Sequence, residues 1–317
     1  MALPQRILAI NDVQDLLDMD VTHFSGNILK GRFQNNLPVG HRTLFVELSQ
    51  GDMSWWQPVD VEVLAGKLEI EPSFTHVVSN RCVPVVLENL FNSSVTDIFR
   101  NQYLSPRSPY TTLQLPTQGI GEWCHPKMTA DIADSGLRSK VAGNLLQTSL
   151  GVPFRSPAHG RNISFTSLWD NYPNEMEIPL SGKASRAYLL MAGSTNHMQC
   201  HIANGVIRIY YTDGTFEELE LVNPENWCPI EQDFFVDDVA FKLEVPRPYR
   251  LHLKSGLISD NLERDLGIQG VYGRSIDGGA GVLLDLKLNP KKKLKCLTLE
   301  TLSNDVVIGI MGVTLQR

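Results

Sequence analysis

The run Val306-Val307-Ile308-Gly309-Ile310-Met311-Gly312-Val313 carries no charged or polar side chain, and five of its eight residues are β-branched. Such side chains lose rotamer freedom in a helix and fit the pleated surface of a sheet. The run is far shorter than the roughly 18 apolar residues that cross a bilayer as a helix, and no other stretch comes closer. It reads as a buried strand. A buried strand obliges the rest of the chain to supply a sheet around it.

The sequence before it does so. Strand-like segments recur at 163–168, 175–180, 184–192, 240–245, 249–253, 281–288 and 295–301. The clearest hairpin joins Val206–Tyr211 to Phe216–Leu221, where Asp213-Gly214 supplies the positive φ of a tight turn. Lys291-Lys292-Lys293, after Asn289-Pro290, reads as an exposed hairpin tip between two further strands. So many strands with so few helical patterns mean a β-sandwich or jelly roll. In the first half, Thr43–Leu48, Val59–Leu64, Lys67–Glu71 and Val83–Asn89 also read as strands, with Ala65-Gly66 as a turn. Residues 87–99 read as strand, Asn-Ser-Ser turn and strand, the spacing of a small sandwich. The helix candidates are Val13–Met19, capped by Asp12, and Thr129–Leu137. Pro106, Pro109, Pro116, Pro126, Pro153 and Pro157 break the pattern between the halves. The expected organisation is an N-terminal β-sandwich over 1–104, a Pro-rich connector over 105–160, and a C-terminal jelly roll over 161–317.

Composition excludes several alternatives. A hydrophobic share of 42% rules out a disordered chain, and the 24 Gly and 18 Pro have no collagen or coiled-coil period. The formal charge of −7 argues against nucleic-acid binding through bulk charge. The first twenty residues lack the basic and apolar regions of a secretory signal. Cys82, Cys124, Cys200, Cys228 and Cys296 form no CxxC pair, so buried or half-buried thiols are expected rather than disulfides or a zinc site. His197 and His201 stand four apart, but the Gly and Asn around them disfavour a helix that would aim both at one metal. No nucleophile elbow or phosphate-binding loop is present, and no cofactor is expected.

The residues that remain are aromatic. Indole faces stack on the apolar faces of sugar rings, while Asp, Asn and Arg hold hydroxyls. Trp169-Asp170-Asn171-Tyr172 and the Asn226-Trp227 cluster combine these types, and Trp123 sits among turn residues; Trp55 and Trp56 lie at a strand end. The alternative chemistry is a carboxylate pair. Glu231, Asp233, Asp237 and Asp238 cluster after Trp227, with Asp260, Glu263 and Asp265 following.

Three segments carry a resemblance: Ser164–Pro173 with Ile178–Ala184, Tyr188–Asn196, and the Tyr210–Gly214 turn with Asn226-Trp227. Over roughly residues 105–317 the chain resembles galactose-binding-like and related jelly-roll modules attached to bacterial polysaccharide-degrading enzymes. It looks most like the C-terminal part of large gut Bacteroidetes proteins of plant-glycan utilisation, which carry a glycosidase-like helical domain elsewhere. The resemblance implies an all-β fold with a galactose-binding-like C-terminal jelly roll. It also implies a secreted or periplasmic protein, whose export signal would lie upstream, and it brings no catalytic residues. The expectation is a carbohydrate-binding or structural accessory region whose partners are an oligo- or polysaccharide and a catalytic glycosidase domain or subunit. Trp123, Trp169, Tyr172 and Trp227 would stack, and Asp170, Asn171 and Asn196 would hold hydroxyls. The alternative is a glycoside hydrolase or lyase with paired carboxylates in 231–238.

Overall fold

Residues 187–192 show why the chain folds in layers. Ala187, Leu189 and Met191 belong to one buried cluster, and Tyr188, Leu190 and Ala192 to another. Successive strand side chains point to opposite faces. A strand that is apolar at every position is therefore stable only in a sheet covered on both sides.

The computed structural model describes residues 6–12, 15–17, 19–25, 28–33, 40–50, 52–63, 81–101, 103–105, 108–112, 131–169, 171–195, 199–233, 243, 246–269 and 274–317. The fold is all-β, built from antiparallel sheets, and it divides into two units, Met1–Ile70 and Glu71–Arg317.

The first unit contains β1 (Arg6–Asp12), β2 (Asp15–Leu17), β3 (Met19–Ser25), β4 (Ile28–Phe33), β5 (Gly40–Gln50) and β6 (Met53–Val63). One sheet has the order β2-β1-β5-β6, and β3 and β4 form a separate hairpin. The long β5–β6 hairpin pairs from Gly40↔Val63 to Gln50↔Met53, leaving two residues for its turn. The helix expected over 13–19 is absent: Asp15–Leu17 is strand, paired to β1 through Ile10↔Leu17. Here tertiary pairing overrides a three-residue helical pattern. The hairpin expected at Ala65-Gly66 lies outside the described residues, and Val59–Val63 pairs backwards with β5.

The second unit begins with β7 (Cys82–Pro84), β8 (Leu104–Ser105) and β9 (Ser108–Thr112). Next come α1 (Ser135–Ser139), β10 (Val141–Ala142), β11 (Leu145–Gln147), β12 (Pro153–Arg155), β13 (Ser164–Ser167) and β14 (Glu175–Pro179). It continues with β15 (Arg186–Thr195), β16 (Ala203–Tyr211), β17 (Phe216–Val222), β18 (Tyr249–His252), β19 (Leu257–Ser259) and α2 (Leu262–Leu266). β20 (Ala280–Lys287), β21 (Leu294–Thr301) and β22 (Val306–Gln316) complete it. The main sheet has the order β13-β22-β15-β20-β18-β19, with β7 pairing the far end of β22. A second sheet, β14-β21-β16-β17, covers one of its faces. Ile207, Ile209, Leu297 and Leu299 pack there with Leu189, Met191, Val282 and Leu284, which makes the sandwich.

The other face is covered by chain with little regular structure. Val95, Ile98, Phe99, Tyr103, Leu146, Val152 and Phe154 close over Tyr188, Leu190 and Leu283. This corrects the expected division at 104 and 160. Residues 82–84 join the main sheet, and 131–160 form part of its second core instead of a connector. Prolines and glycines there interrupt any period, but the apolar side chains between them still find the sheet. The two strands expected over 87–99 are replaced by turns and a short 3-10 helix, Val95–Asp97. In place of a strand ladder, the Asn92 side chain pairs with β13, donating to Phe165 O and accepting from Phe165 N, each at 2.9 Å. Lys291 and Lys293 of the lysine run are exposed while Lys292 is half-buried and pairs with Asp213 at 3.0 Å, and the run crosses between sheets, because β20 and β21 belong to different ones.

Two details of β22 and β15 matter for packing. The β15–β22 register shifts between Leu190↔Gly312 and Met191↔Ile310, placing a bulge at Met311. One extra residue reverses the alternation. Val306, Ile308, Ile310, Val313 and Leu315 therefore all serve the same core despite their mixed parity. On β15, Gly193 lies under Trp227: a Cβ there would meet the indole at 2.8 and 2.9 Å and crowd Val307 O. Gly193→Ala is expected to cost about 1–3 kcal/mol through overpacking, read as a drop of several degrees in melting temperature.

Candidate functional site

The aromatic residues expected to stack on sugar are held in two different places. Trp227 is 0% exposed and sits in the sandwich core with Leu189 and Val306. Its ring therefore has no face open to a ligand, which removes it from the expected binding set. Trp169 packs against the opposite core, and its Nε1 donates to Asn304 O at 2.9 Å. Tyr172 is half-buried beside Phe165, with ring centroids 5.2 Å apart. Its hydroxyl meets Ser93 Oγ at 3.0 Å and accepts from Asn101 Nδ2 at 2.6 Å. Burial raises the Tyr172 phenol above its usual range. Trp169 and Tyr172 thus anchor the 168–174 turn, with Asn171 exposed next to them. Trp123, Asp170 and Asn196 lie outside the described residues.

The acidic segment forms a more distinctive arrangement. After the turn that ends β17, Ile230 N donates to Gly193 O at 2.7 Å, and Ala280 N donates to Ile230 O at 2.8 Å. This wedges 230–232 between the ends of β15 and β20. The wedge carries the Glu231 carboxyl inward, to 0% exposure. Ser194 Oγ donates to Glu231 Oε1 at 2.8 Å, while Oε2 has no partner among the described residues. Desolvation pushes the acid up to about 8, against the smaller opposing pulls of its own backbone, Ser194 and Arg250. A proton-bearing acid suits general-acid chemistry, but this one is sealed from any substrate.

Asp233, two residues on, has a side chain only 10% exposed and lines a small cleft. It stands between two arginines, 3.2 Å from Arg274 and 3.8 Å from Arg250. Arg250 is 4% exposed and is fixed by three carbonyls, Gln232 O at 3.0 Å, Pro229 O at 2.6 Å and Ala280 O at 3.0 Å. Arg274 also reaches Glu263 at 3.1 Å on α2. Pro224, Leu243, Pro248 and Leu262 form the apolar walls, and Arg247, Ser259 and Asp260 complete the polar lining. The Asp260 side chain is 57% exposed and pairs with Arg264 at 3.3 Å. Cys228 also lines the cleft, and burial pushes its thiol up to about 11, which leaves it unreactive at neutral pH. Cys82, Cys200, Cys228 and Cys296 are all free thiols, buried or half-buried. Among the described residues, no group of three or more His, Cys, Asp or Glu converges as a metal site. No described helix is long and apolar enough to cross a membrane.

The sequence named Asp233 and Asp260 as acids but had no means of placing them on one cleft. Asp233 is held by Arg250 and Arg274, which no local motif marks. A second surface lies in the first unit. Trp55 and Trp56 on β6 are 41% and 46% exposed, and Met53 is 67% exposed. The only sequence signal was two adjacent indoles next to a Gly-Asp turn. No protein-family model, curated protein or solved structure matches the chain.

Proposed function

We propose that the chain is a carbohydrate-binding accessory region of a polysaccharide-degrading protein, and that a glycan binds over the cleft lined by Asp233 and Asp260. The setting, a secreted or periplasmic bacterial protein acting on plant glycan with a catalytic partner, follows from the resemblance of residues 105–317 and is part of the proposal. The observation that carries the reading is the charge balance of the cleft. Two carboxylates, Asp233 and Asp260, face two guanidinium groups, Arg247 and Arg250, beside prolines and leucines. A ligand that both donates and accepts, without net charge, satisfies such a lining, and sugar hydroxyls do both.

Calorimetric titration with a panel of neutral oligosaccharides tests this. Asp260→Ala is expected to weaken binding about tenfold or more, the loss of one hydrogen bond to a charged group, with an unchanged melting temperature. Failure of the unaltered protein to bind any member of the panel would leave structural support as its role.

One observation favours a second reading, a glycoside hydrolase or lyase: Asp233 and Asp260 line the same cleft. Of the rest of the expected 231–238 set, Glu231 is sealed in the core and Asp237 and Asp238 lie outside the described residues. Release of reducing ends or unsaturated products by the unaltered chain, lost in Asp260→Ala, would move the assignment to catalysis.

A further inference from the structure

We propose that the tip of the β5–β6 hairpin is a second polysaccharide contact, a blade with one tryptophan on each face. This inference rests on the carbohydrate reading for its ligand class but uses a separate surface, in the first unit of the chain. All seven residues from Asp52 to Pro58 are exposed. β6 is the outermost strand of its sheet, pairing only with β5 among the described residues. Trp55 opposes Leu48 and Trp56 opposes Glu47 in register. Adjacent strand residues point to opposite sides, so the two indoles cannot form one joint platform.

The surrounding residues narrow the ligand. Gln50 to Pro58 reads Gln-Gly-Asp-Met-Ser-Trp-Trp-Gln-Pro, with one carboxylate and no cation. An anionic lipid surface recruits lysine and arginine, which this tip lacks. A protein partner of ordinary kind wants a contiguous apolar patch of several hundred Å², whereas the exposed apolar side chains are split, Met53 and Trp55 on one face and Trp56 on the other. A peptide adding as a further strand needs a run of free edge donors, and Pro58 removes one at the edge. Large apolar faces bordered by a hydroxyl, an amide and a carboxylate match a chain of neutral sugars, whose rings offer apolar faces and hydroxyl edges in repetition. Two opposed faces suit a neutral polysaccharide, because the blade can contact two neighbouring chains at once.

The test is affinity electrophoresis of the full chain through gels containing soluble neutral polysaccharides (a mixed-linkage β-glucan, xyloglucan and galactomannan). Sedimentation with phosphatidylcholine–phosphatidylserine vesicles runs in parallel. The unaltered chain is expected to be retarded by at least one polysaccharide and to stay out of the vesicle pellet. Trp55→Ala and Trp56→Ala should each lose about tenfold or more in the affinity of the blade, as truncation of a central interface tryptophan does, and the double variant combined with Asp260→Ala should migrate as in an empty gel. Trp56→Tyr should restore part of the loss, because an aromatic face remains. Both indoles are exposed, so melting temperatures should not change. Asp260→Ala separates the two readings. If it keeps retardation that the double variant loses, the blade stands without the cleft. If the double variant keeps retardation that Asp260→Ala loses, the blade is wrong and the cleft stands. Absence of retardation in the unaltered chain, or vesicle binding lost with the tryptophans, overturns the blade outright.

Discussion

Replacing Trp227 with alanine is expected to destabilise the larger unit by roughly 3–5 kcal/mol, the range for deleting a buried aromatic side chain, and to shift its urea midpoint well below that of the unaltered protein. The indole is fully enclosed in the core between the two sheets. Beneath it is Gly193, which has no side chain to swing into the vacated space, and whose backbone is tied to Ile230 N at 2.7 Å. The cavity can therefore close only if the sheets shift. Such a loss is what distinguishes a core residue from a sugar platform. A platform tryptophan removed from the surface would leave the urea midpoint in place and weaken only ligand binding, and that result would return Trp227 to the binding set. The same measurement on Trp55→Ala should give the opposite pattern.

The second large effect concerns pH. Glu231 holds its proton to about 8 in the fold, against 4.5 for an ordinary glutamate. Between those values the folded chain carries one more proton at this site than the unfolded chain. Stability therefore falls as pH rises, by about 1.4 kcal/mol per unit and roughly 5 kcal/mol in all. The contribution is complete below pH 4.5 and gone above pH 8. Glutamine keeps the shape and the acceptor for Ser194 but cannot ionise. Glu231→Gln should thus match the unaltered protein near pH 4.5 and exceed it increasingly up to pH 8. Urea unfolding at pH 5, 6.5 and 8 gives the comparison, and titrations common to both proteins cancel in it. Parallel pH profiles for the two proteins would mean that Glu231 is ionised inside the fold, held by Arg250 more strongly than its burial opposes.

The strands were legible where a single physical signal dominated. The β16–β17 hairpin follows from Asp213-Gly214: Gly214 adopts φ 86°, and Asp213 Oδ1 accepts from Thr215 N at 3.0 Å. β22 follows from its β-branched run, and β15 from its apolar length. The covering layer over 93–103 and 131–160 was not legible, because its strands β10–β12 are only two or three residues long and much of its remaining contact is made by side chains. Asn92 replaces a ladder for β13, and Asn162 Oδ1 accepts from Val95 N at 3.0 Å while its Nδ2 donates to Asp134 at 2.9 Å. Such contacts have no period. The candidate cleft was half legible for the same reason. Acids clustered in sequence at 231–238, but their arginine partners come from β18 and from Arg274, far along the chain. The aromatic expectation failed at Trp227, since adjacency to Asn226 marks a turn as readily as a sugar site. Asn226 spends its side chain there, accepting from Val222 N at 2.8 Å and donating to Glu220 O at 2.8 Å.

The position of β22 has a bearing on how this chain comes to be made. It lies between β13 and β15 and its far end holds β7, so residues 82–84 wait for residues 314–316. Until the segment 306–316 has left the ribosome, β15 lacks one neighbour, β13 and β7 lack their partner, and both cores lie open along a seam. Contacts so distant in sequence form slowly. The β5–β6 hairpin, by contrast, needs only its own residues and can assemble while the rest is still being synthesised. A nonsense mutation at codon 306 would therefore leave a nascent chain with a formed first hairpin and a sticky, half-built sandwich, a substrate for chaperones and proteases rather than a shorter working protein.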